Sequence, residues 1–318
     1  MNKIAIVMYH YVKNPATNKF GKLNSLSLSQ FKEQLDYLSN NFNFISFETL
    51  TAAEKGQLTI PKNSVLLTFD DGYIDHYDNV FPLLKQKNIP AFFSMPGKII
   101  AEKKMLDVNK IHILLATADV NKIIPFLYKR LDHYRGAEFS YPGNKDLYTK
   151  LAHQTRYDNA DVIFIKRLLQ AELPEKLRNI ITDELLLENG CDQDELVKTF
   201  YLNWQQVKEM HNAGMEWGIH GYDHYWMNKL SEPELTKDIN QALDVFADVL
   251  PSKGWGCCYP YGSIDENVEK IVGKMGAVIG LTTEVNYATL PTKRPLALPR
   301  FDTNDFPPKS MEYKMMFV

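Results

Sequence analysis

Val65-Leu66-Leu67-Thr68-Phe69-Asp70-Asp71-Gly72 reads as a strand that is apolar to its end and then stops on two carboxylates and a glycine. A short continuous apolar run bounded by turn residues is the pattern of a strand covered on both faces, as in a parallel sheet. The same run recurs on either side of it. Residues 4–9, 42–47, 91–95, 215–219, 255–258, 277–281 and 296–301 read as further strands. Amphipathic helices lie between them. Phe31, Leu35 and Leu38 share one face, as do Val80, Leu83 and Leu84, and Leu235, Ile239, Leu243, Phe246 and Leu250. Ser27 with Gln30, and Ser231 with Glu234, have the spacing of capping boxes. Such alternation implies a parallel sheet with helices outside it, and about seven βα units suit a closed, distorted (β/α)7-type barrel better than an open sheet. From about 99 to 199 the strands stop. Ile111, Leu114, Leu115, Ile123, Phe126 and Leu127 recur there at helical spacing, as do Val162, Ile165, Leu168, Leu169, Leu185 and Leu186. The fold class is therefore α/β, with a discontinuous barrel over 1–98 and 200–305, a helical insertion over 99–199 and a C-terminal tail over 306–318.

The bulk composition narrows the classes of function. The 318 residues are 45% apolar and 24% charged, ordinary values for a chain with a packed core. A net charge of −3 offers no basic footprint, so no nucleic-acid partner is expected. The apolar run at 4–9 is far shorter than a membrane span, and it lacks the cleavage site of a signal peptide. Cys191, Cys257 and Cys258 form no CxxC pattern and fit a reducing compartment. A cytoplasmic location with no transmembrane segment is the expectation; oligomeric state is not legible.

Three clusters follow predicted strands, at the edge where α/β barrels carry their chemistry. Asp70 and Asp71 repel each other unless a cation or a proton separates their roles. One is read as serving a metal and the other a water, although Asp and Gly also make an ordinary turn. His220 and His224 are four apart and converge on one ion from a helix or a loop. With Asp71 they make two imidazoles and a carboxylate, a facial set that leaves positions open for water and substrate. Tyr259-Pro260-Tyr261-Gly262 reads either as a packed turn or as a loop wall whose Tyr261 N–H points at a developing oxyanion. Tyr73, Tyr225 and Trp226 flank these clusters. Tyr73 and Trp226 are the candidates for stacking on a sugar ring.

In chain order, Thr68-Phe69-Asp70-Asp71-Gly72, His220-x-x-x-His224 and Pro260-Tyr261-Gly262 resemble the signature of the polysaccharide deacetylases, the NodB-homology proteins of carbohydrate esterase family 4. Met8-Tyr9-His10 and Phe81-Pro82-Leu83-Leu84 are similar to that family too. The resemblance covers roughly 1–97 and 200–302 and leaves out the insertion. It implies one divalent metal held by Asp71, His220 and His224, zinc first, with cobalt, nickel or iron as alternatives. It implies Asp70 as the general base and an N-acetylated sugar as the substrate.

Three departures stand against the family pattern. Gly221 replaces the usual Ser or Thr after the first histidine. Cys258 stands where an Arg usually orients the catalytic Asp, and Arg300 is the candidate replacement. No histidine follows His224, so the family's late general-acid His motif is missing; Val7-Met8-Tyr9-His10 resembles that motif moved to the N-terminus, with His10 as the acid. The expected function is metal-dependent removal of N-acetyl from an amino sugar in a cytoplasmic glycan, lipopolysaccharide or capsule precursor, either a sugar nucleotide or a lipid-linked glycan. Hydrolysis of another N-acyl group such as formyl, and a non-catalytic glycan-binding barrel, are the alternatives.

Overall fold

The computed structural model describes residues 2–136, 138–155, 158–251 and 254–317. The strands are β1 (Asn2–Tyr9), β2 (Val12–Lys13), β3 (Leu26–Ser27), β4 (Asn43–Phe44), β5 (Ser64–Phe69), β6 (Ala91–Met95), β7 (Glu216–Ile219), β8 (Trp255–Cys258), β9 (Ala277–Leu281), β10 (Ala288–Leu290) and β11 (Phe301–Asp302). Clustering of contacts divides the chain into two compact units. One is Met1–Thr17, Ser25–Lys103 and Lys198–Val318; the other is Asn18–Asn24 and Lys104–Val197.

The first unit is built on the parallel run β1-β5-β6-β7-β8-β9. β1 and β5 pair over six residues, from Ile4 opposite Ser64 to Tyr9 opposite Phe69. The ring is closed by one extended segment. Leu298 bridges Leu281 of β9, with its N–H bonded to the Gly280 carbonyl at 2.8 Å. Three residues later Phe301 and Asp302 pair in parallel with Val7 and Met8 of β1. The last strand therefore neighbours the first, and seven positions complete the distorted barrel. β4 extends the sheet along the start of β5, and β10 runs antiparallel along the start of β1.

Alternate residues of successive strands fill the interior: Ile4 and Ile6, Leu66, Phe92, Cys258, Ile279 and Leu281, all essentially buried. Gly218 and Gly256 make room among them. A Cβ on Gly218 would lie 2.2 Å from the Phe92 ring, and one on Gly256 would lie 2.5 Å from the Phe47 ring. Phe47 arrives from a helix where the sequence reads as strand. Only Asn43–Phe44 of the expected 42–47 strand pairs as a strand. Ser46 then caps the helix Phe47–Glu54, its Oγ accepting the Thr49 N–H at 3.0 Å. The Glu216 carboxylate takes two more N–H groups of that first turn, from Phe47 at 2.5 Å and Glu48 at 2.8 Å. Phe47 thereby stacks on Phe92 with centroids 4.2 Å apart. The two capping boxes legible at Ser27 and Ser231 are both formed.

The segment after 305, expected as a tail, is packed. Phe306 and Tyr313 are buried and stack with centroids 4.4 Å apart, because Phe42 and Phe301 offer them an apolar seat. The second unit is helical: Asp107–Thr117, Val120–Tyr134, Asn144–Leu151, Ala160–Arg167 and Glu175–Glu188. Leu127, Leu131, Leu147, Phe164, Leu177 and Ile181 are fully buried in its own core. Among the described residues, no helix is long and apolar enough to cross a membrane.

Candidate active site

At the carboxyl end of β5 the chain turns sharply. Asp71 has φ +73° and Gly72 φ +67°. A side chain on Gly72 would meet Met95 at 2.4 Å, so the turn accepts only glycine there. The turn aims Asp71 at the loop after β7. Its Oδ1 lies 3.3 Å from His220 Nε2 and 3.3 Å from His224 Nε2, and all three residues are buried. Its Oδ2 accepts the Tyr73 hydroxyl at 2.5 Å. His220 Nδ1 lies 2.6 Å from the Cys258 carbonyl. That carbonyl can only accept, so Nδ1 carries the proton and the neutral ring turns the Nε2 lone pair toward Asp71. Asp71 Oδ1 is buried and has no hydrogen-bond donor. Lone pairs facing a carboxylate oxygen repel unless a cation lies among them. Ligands about 2.1 Å from a tetrahedral ion stand about 3.4 Å apart, close to the separations seen here. The residues fit a divalent metal.

The loop carrying the two histidines is fastened on two sides. Asp238, from the helix Glu232–Val245, accepts the Tyr222 N–H at 2.9 Å and the Asp223 N–H at 3.1 Å. The Gly97 and Lys98 N–H groups donate to the Gly221 and Tyr222 carbonyls at 3.1 and 2.9 Å. Lys98 also pairs with the Asp223 carboxylate, which accepts the Tyr225 hydroxyl at 2.8 Å.

Asp70 faces the barrel interior and is gripped by two side chains, Arg300 and Ser94. Arg300 Nη1 donates to its Oδ1 at 3.1 Å, and Nη2 makes an ion-pair contact with Oδ2 at 2.8 Å. Ser94 Oγ donates to Oδ1 at 2.8 Å. Burial alone would push the carboxyl up. Arg300, by its charge and its hydrogen bond, outweighs it and holds Asp70 well below the usual carboxylate range. Arg300 is itself fixed by the Thr282 carbonyl at 2.8 Å and Thr68 Oγ1 at 3.2 Å, with Nη1 3.5 Å from Cys258 Sγ. Burial holds that thiol well above its ordinary pKa, so it stays neutral. The residue at 258 thus leaves the charge to Arg300.

His10 follows β1 and is half-buried. Its carbonyl accepts from His76 Nε2 at 2.9 Å, and its imidazole lies near enough for its charge to lower both Asp70 and Asp71. Pro260 is buried, and Tyr261 adopts φ +58° beside it. The Tyr261 and Trp226 rings stack 4.5 Å apart at 6°, and the Tyr261 ring also meets His224 edge-on at 4.7 Å. This half-buried pair forms an aromatic wall next to the two histidines. Tyr73 is not part of such a wall. It is 1% exposed, with Tyr11 stacked on it at 4.1 Å, so its ring has no room for a sugar. It acts on Asp71 through its hydroxyl instead. Ser94 and Asp238 are absent from the sequence reading, whereas His76, read there as a candidate support behind the site, reaches the His10 carbonyl. A small polar residue inside an apolar strand and a carboxylate on the inner face of a helix were the available signals.

Several known proteins are similar to this chain. Over 97 residues, 30% of this chain, it is 31% identical to a poly-beta-1,6-N-acetyl-D-glucosamine N-deacetylase of Escherichia coli (strain K12). Over 78 residues it is 38% identical to the Staphylococcus aureus (strain MSSA476) protein of that name, 24% of this chain. The matches span only 14% and 26% of those relatives' lengths. Among solved structures, the Streptococcus pyogenes deacetylase PplD in complex with acetate aligns with a TM-score of 0.60 and 17% identity, covering 98% of this chain and 96% of that one. IcaB from Ammonifex degensii gives 0.57 and 18%, covering 95% and 92%. These likenesses establish the barrel fold. Just over half of the chain, residues 57–124 and 182–280, matches the polysaccharide deacetylase family, and the chain belongs to that family.

Proposed function

We propose that the protein is a metal-dependent N-deacetylase of an N-acetylated amino-sugar glycan. The observation that carries this is the convergence of Asp71, His220 and His224 beside a second carboxylate, Asp70, that a buried arginine keeps ionised. Asp71, His220 and His224 would hold one divalent cation, zinc before cobalt, nickel or iron, which when bound polarises an amide carbonyl and acidifies a water.

The chain's own residues then divide the proton transfers. Asp70 accepts a proton from the water as its oxygen bonds to the acetamide carbon. The displaced π pair moves onto the carbonyl oxygen, for which the Tyr261 N–H would be the donor. His10 protonates the amide nitrogen, the C–N bond breaks, and acetate and a free amine leave. Asp70 and His10 recover their starting states by exchange with solvent. Trp226 and Tyr261 hold the sugar by its apolar face.

The printed substrate of the bacterial relatives, poly-beta-1,6-N-acetyl-D-glucosamine, names the glycan class to try first. The finer reading is a precursor met in the cytoplasm, a sugar nucleotide or lipid-linked glycan; the three unpaired cysteines support it. The test is acetate release from a β-1,6-linked N-acetylglucosamine oligomer, a UDP-linked N-acetyl sugar and a lipid-linked N-acetylated glycan, with the zinc-loaded protein. Release from at least one is expected. No release from any of them by protein with bound zinc would overturn the enzymatic reading, leaving a glycan-binding barrel. Release from the oligomer alone would overturn the precursor reading.

A further inference from the structure

We propose that Asp238 is the positioning residue that keeps the His220–His224 loop in its metal-ligating shape, and that metal affinity is set through it. The inference rests on the metal reading above. β7 ends at Ile219, so the loop's backbone groups have no ladder to join, and buried N–H groups require partners. Asp238 is 6% exposed and accepts two successive N–H groups, one on each oxygen. The carbonyls of Gly221 and Tyr222 are taken from the other side by Gly97 and Lys98. The loop is thus bonded through neighbouring backbone groups to two helices, Glu232–Val245 and Gly97–Glu102.

Two further observations show that this fastening holds an unfavourable shape. His224 has φ +60°, a conformation that persists in a residue with a side chain only when its surroundings over-determine it. Gly221 has φ +68°, and a Cβ there would lie 2.9 Å from Asp238 Oδ2. The carboxylate therefore packs directly under the loop, in the space a side chain at 221 would need. Both ligand nitrogens depend on this shape, because His220 begins the loop and His224 ends it.

The experiment measures zinc affinity of metal-free protein by competition with a chromophoric chelator, beside the visible spectrum of the cobalt-loaded form. Asp238→Asn keeps the volume and one acceptor but turns an amide N–H₂ toward a backbone N–H. Its zinc affinity is expected to fall about tenfold to a hundredfold, the usual effect of losing a partner that orients metal ligands, with an altered cobalt spectrum. Gly221→Ala, pressing on the same carboxylate from the loop, should do likewise. Ile239→Ala, a fully buried neighbour on the same helix, controls for a general loss of stability and should bind zinc within about twofold of wild type, well short of the tenfold effect at a metal-orienting partner. If Asp238→Asn and Gly221→Ala bind zinc as tightly as Ile239→Ala, Asp238 is a structural residue only and the proposal is wrong. Wild type and His220→Ala serve to test the metal site itself: failure of wild type to bind zinc would overturn both readings, whereas zinc lost in His220→Ala but kept in Asp238→Asn would overturn this one alone.

Discussion

Asp70 and Asp71 are chemically identical neighbours, and their different duties come from which way the turn points them. Asp71, in the left-handed conformation, faces two imidazoles; Asp70, one residue earlier, faces Arg300 and Ser94. Asp70→Asn should therefore keep its zinc while losing turnover by on the order of a hundredfold or more, the scale of a general base. Asp71→Asn should lose zinc affinity as well. Zinc content by elemental analysis alongside acetate release checks the division; zinc lost from Asp70→Asn and retained by Asp71→Asn would reverse the roles. His76 makes a separate, pH-dependent contribution. Burial is the main cause that pushes its imidazole from 6.5 down to about 4, helped by the charge of His10 and opposed by the hydrogen bond to the His10 carbonyl and the charges of Asp71 and Asp70. A depressed histidine pKa means that the unfolded chain binds the proton first. Its contribution is complete above pH 6.5 and is lost as the pH falls to 4, by about 3 kcal/mol in all. Asp238, pushed up to about 6 mainly by burial, runs the opposite way over part of that range. The clean measurement is thus the difference between wild type and His76→Gln in urea unfolding from pH 4 to 7. The two curves should diverge as the pH rises, and parallel curves would rule the contribution out.

At the scale of elements, what was legible followed from local pattern and what was hidden followed from long-range contact. The buried strands at β5, β6, β8 and β9 and the boxes at Ser27 and Ser231 are written in consecutive residues, and the structure places them there. The helix Phe47–Glu54 was not, because Phe42-Asn43-Phe44-Ile45 alternates like a strand and runs into it. Its start is decided by Ser46 and by Glu216, which comes from a strand far along the chain. Ser46→Ala should lower stability by about 1 kcal/mol, typical for a lost cap, and leave zinc affinity unchanged; a change in urea midpoint below experimental error would show that Glu216 alone holds the turn. The site divides in the same way. Motif spacing brings Asp71, His220 and His224 to notice, but Asp238 and Ser94 carry no spacing signal. Their importance lies in which backbone or carboxylate they reach across the fold. Tyr73 was misread as a sugar platform because an aromatic beside a motif looks the same whether it faces the pocket or the core.

For the molecule as a whole, two compact units with separate cores imply two levels of stability. Zinc at a hundred times its dissociation constant should stabilise the unit that binds it by about 2.7 kcal/mol. The expected result is that the transition reported by Trp217 and Trp255, both in the barrel, moves to higher temperature with zinc. A transition isolated by Leu127→Ala, which removes a fully buried side chain from the helical unit, should not move. Equal zinc shifts in both would show that the units unfold as one.

The charge partner of Asp70 is 230 residues away in sequence, and the strand that precedes His10 is flanked by residues 301 and 302. Translation therefore makes the proposed catalytic residues in a fixed order, with Arg300 last. A nascent chain that has passed residue 224 already contains Asp70, Asp71, His220 and His224, yet Asp70 has no guanidinium to keep it charged inside an open sheet. A message cut short before residue 300 would yield a polypeptide with the recognisable motifs but without the charge partner of the proposed base.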